Sequence, residues 1–141
     1  MMFADANIFL RALTNDDAVK AVACSELLRG VDRGEIEIAT CEAIITEVVY
    51  VLSSRATYGL SHDEIRARLA PLLRMRGLRL PGKHVYLEAL DLYAALPALD
   101  FEDALCVAHM RQAGITEILS YDAHFDRVDF VHRVVPQSSD P

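Results

Sequence analysis

Apolar residues recur along this chain at two spacings, which predict where helices and strands lie. From Asn15 or Asp16 to Arg33 the apolar positions are mostly three to four residues apart, as in an amphipathic helix. Ile36 to Thr40 instead alternates apolar and polar residues, which is typical of a short strand. Three further apolar runs predict strands over residues 2–6, 115–120 and 128–135.

Four more helices are predicted from residues that cap helices and from the glycines and prolines that end them. Thr40 is the expected cap of the first of these helices, and Asp100 is the expected cap of the last. Ser61 and Glu64 form a capping box, and Pro71 should interrupt or kink the helix that follows. The four helices are predicted over residues 42–57, 61–77, 84–96 and 100–113.

The order strand, helix, strand, helices, strand, strand is typical of a small α/β domain around a mostly parallel sheet. The 141 residues fit one domain, predicted over 1–135, with a loose polar tail over 136–141. Active sites of such sheets lie beyond the carboxyl ends of the strands. Asp5 closes the first predicted strand and Asp122 follows the strand that ends at Ser120, so both should lie at that edge.

The composition, with 52% hydrophobic and 25% charged residues, is ordinary for a soluble globular protein. No apolar run approaches the roughly 20 residues that span a bilayer, and the start lacks a signal-peptide pattern. We therefore expect a cytoplasmic protein without membrane association. Cys24, Cys41 and Cys106 lie far apart in apolar segments, which predicts buried free thiols and neither a disulfide nor a zinc site.

The net charge of −7 disfavours a general nucleic-acid binder, because phosphate contacts are made mostly by Lys and Arg. The charge is unevenly distributed, however, because the segment from Ile65 to Lys83 contains six basic residues and no acidic one. We call these six residues the basic stretch: Arg66, Arg68, Arg74, Arg76, Arg79 and Lys83. This basic stretch either guides a polyanion or an acidic partner, or is simply a solvated helix face.

Four carboxylates stand beside or inside apolar runs, namely those of Asp5, Glu47, Asp103 and Asp122. An ionised group in such surroundings is costly unless a positive charge compensates it. Several carboxylates that meet at one point also repel one another, and a divalent cation with oxygen ligands relieves that repulsion. The pattern therefore indicates a magnesium- or manganese-dependent hydrolase of phosphate esters.

Each of these acids also has a purely structural interpretation. Glu47 interrupts an apolar helix face, where a buried ion pair with an arginine is the alternative to a functional role. Asp5 and Asp122 are acceptable turn residues, and Asp103 would complement a helix dipole in the first turn after Asp100. The joint pattern of the four, more than any single acid, favours the metal site.

The quartet, its order and its local sequences resemble the PIN-domain ribonucleases, most closely the VapC-type toxins of bacterial and archaeal toxin–antitoxin pairs. The motifs are an opening Asp-Ala-Asn followed by Ile-Phe-Leu-Arg, a Glu in an apolar helix, a later Asp-Ala-Leu, and Ser-Tyr-Asp-Ala-His-Phe. The match runs nearly end to end. The chain departs from the commonest pattern at Ser120 and Tyr121, where many members have Thr and a polar residue, although Ser120 keeps the hydroxyl.

The resemblance implies a helix-rich, PIN-like three-layer α/β/α sandwich with a mostly parallel central sheet. It implies one or two Mg²⁺ or Mn²⁺ ions, held by the catalytic acids Asp5, Glu47, Asp103 and Asp122. Residues that support these acids would be Asn7, Asp100, Ser120 and Asp126. The implied reaction is hydrolysis of RNA phosphodiester bonds, and the implied partners are a cognate antitoxin and a second copy in a homodimer.

Charge alone suggests that Arg55, or Arg74 and Arg76 of the basic stretch, guides the RNA backbone. Two alternatives to a nuclease are compatible with the sequence. One is a catalytically inactive PIN-like subunit with a binding or regulatory role. The other is a phosphatase-like α/β enzyme of the receiver or haloacid-dehalogenase type, which is disfavoured because Asn7 takes the second acidic place and no lysine follows Lys83.

Overall fold

The structure, a computed structural model, describes residues 1–139 and contains within them six α-helices, five short strands and one 3₁₀ helix. The strands are β1 (Met2–Phe3), β2 (Ile38–Ala39), β3 (Leu78–Arg79), β4 (Glu117–Leu119) and β5 (His132–Val134). The helices are α1 (Ala6–Leu13), α2 (Ala18–Asp32), α3 (Glu42–Ser53), α4 (His62–Leu73), α5 (Lys83–Ala95), α6 (Phe101–Ala113) and the 3₁₀ helix Ala123–Arg127.

All strand pairs among the described residues are parallel, but they form two sheets. One sheet has the order β1-β2-β3, with Met2 opposite Ile38 and Ile38 opposite Leu78. The other sheet pairs β4 with β5, with Glu117 opposite His132. The predicted helix-rich α/β class with parallel strands is therefore confirmed, with its sheet in two parts.

The apolar side chains divide between a main core and a second cluster. The main core joins the three-stranded sheet to the helices, and its fully buried members include Phe9, Ile45, Leu52 and Leu90. The second apolar cluster packs the region from α6 onwards and consists of Leu99, Val107, Met110, Phe125, Val128 and Val131. It anchors the two-stranded sheet to α6.

The first strand is shorter than predicted, because it ends at Phe3 and helix α1 follows from Ala6. The Asp5 carboxylate accepts a hydrogen bond of 3.0 Å from the backbone N–H of Asn7, which caps the new helix. The predicted elements do not include this helix, although its apolar residues gather on one face and bury Ala6, Phe9 and Leu10.

The capping predictions have mixed outcomes. Ser61 accepts a hydrogen bond from the Glu64 N–H at 3.2 Å, as predicted, and α4 runs past Pro71 to end at Leu73. Thr40 is not a cap: it is buried, and its hydroxyl donates across the sheet to the Ala4 carbonyl at 3.2 Å. The N-cap position of α3 is Cys41, whose side chain makes no capping hydrogen bond.

Solvent exposure corrects the prediction for the cysteines. All three thiols are free, but Cys41 and Cys106 are exposed and Cys24 is only partly buried. No α-helix within residues 1–139 is long and apolar enough to cross a membrane. Of the predicted tail, residues 136–139 form neither helix nor strand, and residues 140–141 lie outside the described residues.

Candidate active site

Two of the predicted acids, Asp103 and Asp122, meet at one end of α6 together with His124. One ligand atom from each of the three side chains lies within 4.8 Å of the others. Asp103 stands in the first turn of α6, whereas Asp122 and His124 come from the turn after β4. We call these three residues the acidic cluster; it offers carboxylate oxygens and an imidazole nitrogen to a cation.

The turn that carries Asp122 is held by local hydrogen bonds. The Ser120 hydroxyl oxygen accepts from the Asp122 backbone N–H at 2.9 Å. The Asp122 carboxylate accepts from the His124 backbone N–H at 2.9 Å and lies 3.1 Å from the His124 Nδ1 atom. When Nδ1 carries the proton and donates to Asp122, the Nε2 atom of His124 is an acceptor that can bind a metal ion.

Asp126 forms an ion pair with Arg133 in the 3₁₀ helix that follows Asp122. Arg133 donates from Nε and from Nη2 to the two carboxylate oxygens of Asp126, each at 2.9 Å. The third contact of Arg133 runs from Nη1 to the Ser120 carbonyl at 3.4 Å. The hydrogen bond from Arg133 also lowers the pKa of Asp126. Arg133 thus ties β5 to both ends of the segment that carries Asp122.

Asp100 caps α6, as predicted, by accepting from the Asp103 backbone N–H at 2.8 Å. Burial raises the pKa of Asp103, and the negative charges of Asp100 and Asp122 raise it further. The electrostatics of this donor set therefore fit a divalent cation, which would stabilise the ionised form of Asp103. Mg²⁺ prefers oxygen ligands alone, whereas Mn²⁺ also accepts the imidazole nitrogen that His124 offers.

Glu47 lies in a different groove, between α1, α3 and the turn after α3. This groove has a volume of about 470 Å³, and Asn7, Arg11 and Glu47 are among the residues that line it. Glu47 is exposed, so the expectation of a buried carboxylate is wrong. The reason is that Ala43 and Tyr50, one turn away on the same face of α3, are exposed as well.

The acidic cluster holds two of the four acids of the predicted quartet. Asp103 and Asp122 belong to the acidic cluster, which within residues 1–139 contains neither Asp5 nor Glu47. Asp5 follows β1 and Asp122 follows β4, and these two strands belong to different sheets. The assignment of Asp5 and Glu47 to the same site stays a prediction.

Most side chains of the basic stretch form ion pairs or hydrogen bonds within the protein. Four of its six side chains have partners: Arg66 with Asp91, Arg68 with the Leu13 carbonyl, Arg79 with Glu37, and Lys83 with the Met75 carbonyl. The side chains of Arg74, Arg76 and Arg55 are not paired with any other described residue. Among the predicted guides for RNA, these three cations remain open to a ligand.

Two residues at these sites are absent from the sequence-based predictions. His124 belongs to the acidic cluster. The sequence feature that points to it is its position two residues after Asp122 in the Ser-Tyr-Asp-Ala-His-Phe motif. Arg11 lines the groove of Glu47, and its signal was its position one helical turn after Asn7. The Arg11 side chain is partly buried and unpaired within residues 1–139.

Comparisons with known proteins identify the family. The solved structure of Mycobacterium tuberculosis VapC20, a sarcin–ricin loop cleaving toxin, is similar over 93% of this chain and 97% of that chain, with 19% sequence identity and a TM-score of 0.39. A comparison with curated proteins finds no match. The family model of the PIN domain matches residues 2–131, which is nearly the whole chain. The chain therefore belongs to the PIN domain family.

Proposed function

We propose that this protein is a metal-dependent endoribonuclease that hydrolyses RNA phosphodiester bonds and acts as the toxin of a toxin–antitoxin pair. Its membership of the PIN domain family supports a nuclease activity. The observation that carries the proposal is the convergence of Asp103, Asp122 and His124 within 4.8 Å. The motifs that resemble VapC-type toxins support the narrower assignment to a toxin.

In this proposal Asp103 and Asp122 hold one or two Mg²⁺ or Mn²⁺ ions, with His124 as a further ligand for Mn²⁺. A bound ion supplies an activated water at neutral pH and positive charge opposite the reacting phosphate. Asp5 and Glu47 are the other two proposed catalytic acids. Ser120 and Asp126 act as positioning residues, because their hydrogen bonds orient the turn that carries Asp122.

The RNA backbone is bound by cations that the protein leaves unpaired. Arg11 lies in the same groove as Glu47, so it would contact a phosphate beside the cleavage site. Arg55, Arg74 and Arg76 would contact the backbone further away. The antitoxin, a separate chain, would supply an Arg or Lys against the acidic site, and a homodimer in the cytoplasm remains the expected form of the toxin.

Cleavage of a mixed pool of structured RNAs tests the proposal. We expect cuts with Mg²⁺ or Mn²⁺ that disappear with EDTA and in the variant Glu47→Gln. The matched control is Glu26→Gln, which removes an exposed carboxylate from α2 and should leave cleavage unchanged. Cleavage that persists in EDTA or in Glu47→Gln would contradict the assigned chemistry.

One second candidate is a catalytically inactive PIN-like subunit with a binding or regulatory role, since the acidic cluster of the described residues holds only two of the four predicted acids. Such a protein would bind RNA or a protein partner without cleaving RNA under any metal condition. Retained RNA binding with no cleavage by the wild-type protein would therefore favour this candidate. The phosphatase-like alternative has no comparable support, since the chain belongs to the PIN domain family.

A further inference from the structure

We propose that the exposed rings of Tyr50 and Tyr121 bind the RNA substrate by stacking on unpaired nucleobases beside the reacting phosphate. The inference rests on the proposed function, since it assigns to that active site the residues that hold the bases next to the cut bond. The two tyrosines would determine specificity, because they contact the substrate without touching the reacting atoms.

Two of the five tyrosines are exposed, and both lie next to a predicted catalytic acid. Tyr121 is 75% exposed and directly precedes Asp122. Tyr50 is 69% exposed and follows Glu47 by one turn on the same face of α3. Single exposed apolar residues are common on protein surfaces, but their placement beside the acids points to a substrate contact.

Each ring lies beside one half of the acidic cluster. Tyr50 lines a cavity of about 90 Å³ together with Asp100, which caps the helix whose first turn carries Asp103. Tyr121 lies between β4 and the 3₁₀ helix, in the same turn as Asp122. An RNA phosphate at the acidic cluster would therefore bring its neighbouring nucleotides to these two rings.

The two exposed tyrosines are not used within the protein. Among residues 1–139 neither ring stacks on another aromatic ring, and neither hydroxyl has a hydrogen-bond partner. The other three tyrosines all have partners: the Tyr58 hydroxyl donates to Asp16, the Tyr86 hydroxyl donates to Glu42 at 3.4 Å, and the Tyr93 ring stacks on His62 with ring centroids 3.6 Å apart.

Position 121 also distinguishes this chain from the family that it resembles. Many VapC-type toxins have a polar residue where this chain has Tyr121, whereas the acid that follows is part of the shared motif. The aromatic ring is therefore not required for the shared chemistry. Its role should concern which RNA this particular chain binds.

The charge of the site favours contacts to bases over contacts to phosphates. Asp100, Glu102 and Asp103 lie within four consecutive positions, and the negative charge of Asp122 acts on Asp103 as well. These carboxylates repel the RNA backbone wherever no metal ion neutralises them. Stacking of a base on an aromatic ring carries no net charge, so it supplies affinity where phosphate contacts cannot.

Stacking also selects unpaired RNA. In a double helix the faces of the bases are covered by the neighbouring base pairs, so a protein ring has no face to stack on. In single-stranded loops and ends the bases can turn outwards and stack on aromatic side chains. Stacking depends little on the identity of the base, because every base has a π face. Tyr50 and Tyr121 should therefore favour unpaired over paired RNA with only weak preference for sequence.

Binding of a short unstructured RNA tests the inference, with Ca²⁺ in place of Mg²⁺ and the RNA checked for integrity. Tyr50→Leu and Tyr121→Leu keep apolar bulk but remove the ring, and each should lower the affinity by about 10-fold. Tyr50→Phe and Tyr121→Phe keep the ring and should stay within about 2-fold of the wild-type affinity. Because the chain has no Trp, its emission comes from tyrosine, and the RNA should quench it less in either Leu variant.

Two controls separate stacking from a general loss of binding. The same RNA annealed to its complement should bind the wild-type protein and both Leu variants equally, because its bases are paired. Val19→Ala, at an 81% exposed position on α2 far from the acids in sequence, should leave all affinities unchanged. RNAs that lack one base at a time should show about a 10-fold loss at the stacked position with the wild-type protein and almost none with the Leu variant that removes the stacking ring.

The outcomes distinguish this inference from the proposed function. Wild-type affinity for unpaired RNA in both Leu variants, or an equal loss for paired and unpaired RNA, would overturn the inference alone. Wild-type protein that binds unpaired RNA through these rings but cleaves none with Mg²⁺ or Mn²⁺ would contradict the proposed function alone. Wild-type protein that binds no unpaired RNA would overturn both.

Discussion

Asp5 combines two roles that substitution can separate. Its carboxylate caps α1 by accepting the Asn7 N–H at 3.0 Å, and in the proposed function it also binds the metal ion. Asparagine caps a helix as well as aspartate does, whereas alanine does not. Asp5→Asn should therefore keep the cap and lose the metal ligand, whereas Asp5→Ala should lose both.

The expected change in stability follows from what the cap supports. Helix α1 has only eight residues, and it buries Phe9 and Leu10 in the main core. Loss of the cap in Asp5→Ala should lower the free energy of unfolding by about 1 kcal/mol, whereas Asp5→Asn should change it by less than about 0.5 kcal/mol. For a domain of this size, 1 kcal/mol corresponds to about 4 °C in melting temperature. RNA cleavage should fall by about 100-fold or more in both variants.

Thermal unfolding in EDTA and RNA cleavage with Mn²⁺ measure the two roles separately. Asp17→Ala is the matched control, because Asp17 caps α2 through a 3.0 Å hydrogen bond from the Lys20 N–H and has no proposed role in cleavage. That control should lose stability and keep activity. If Asp5→Asn cleaves RNA at the wild-type rate, Asp5 is not a catalytic residue. Equal losses of stability in the two Asp5 variants would refute the capping argument.

Three further predictions concern the site, the sheet and the basic stretch. Asp103→Asn should stabilise the metal-free protein at neutral pH. Because the pKa of Asp103 is raised in the folded state, the stability of the wild-type protein should fall as the pH rises from about 4 through that pKa. Melting temperatures measured across this pH range should show the decline in the wild-type protein and not in the variant. Gly77→Ala should lower the free energy of unfolding in urea by about 2 kcal/mol or more, because the added Cβ would lie 2.0 Å from the Ile36 carbonyl oxygen. The control Gly82→Ala should lower it by only about 1 kcal/mol, because Gly82 has a positive φ of 71° but no such clash. Equal losses in the two variants would contradict the clash. Replacing Arg74 and Arg76 by Glu should weaken binding of RNA or of the antitoxin at unchanged metal affinity, and unchanged binding of both would leave these arginines as surface charges.

Local features of the fold could be predicted from the sequence because their causes lie within a few residues. The cap at Ser61 and the cap at Asp100 each depend on a hydrogen bond between residues three positions apart. The helical spacing before Arg33 likewise indicates α2, which the structure places at Ala18–Asp32. Each family motif is also a contiguous run of residues, so the sequence alone suffices to recognise the PIN domain.

Only the tertiary structure decided which of these local elements meet. Thr40 is suited to cap a helix, but the nearby Ala4 carbonyl in the sheet binds its hydroxyl instead. Glu47 has the spacing of a core position, yet its side chain is exposed, as are those of Ala43 and Tyr50 on the same face of α3. Asp103 and Asp122 are brought together by the packing of the second apolar cluster against α6, across many residues of sequence. Strand pairing and side-chain burial depend on contacts between segments that are distant in the sequence. These contacts decide where each locally predicted element lies in the fold and which of its side chains are buried.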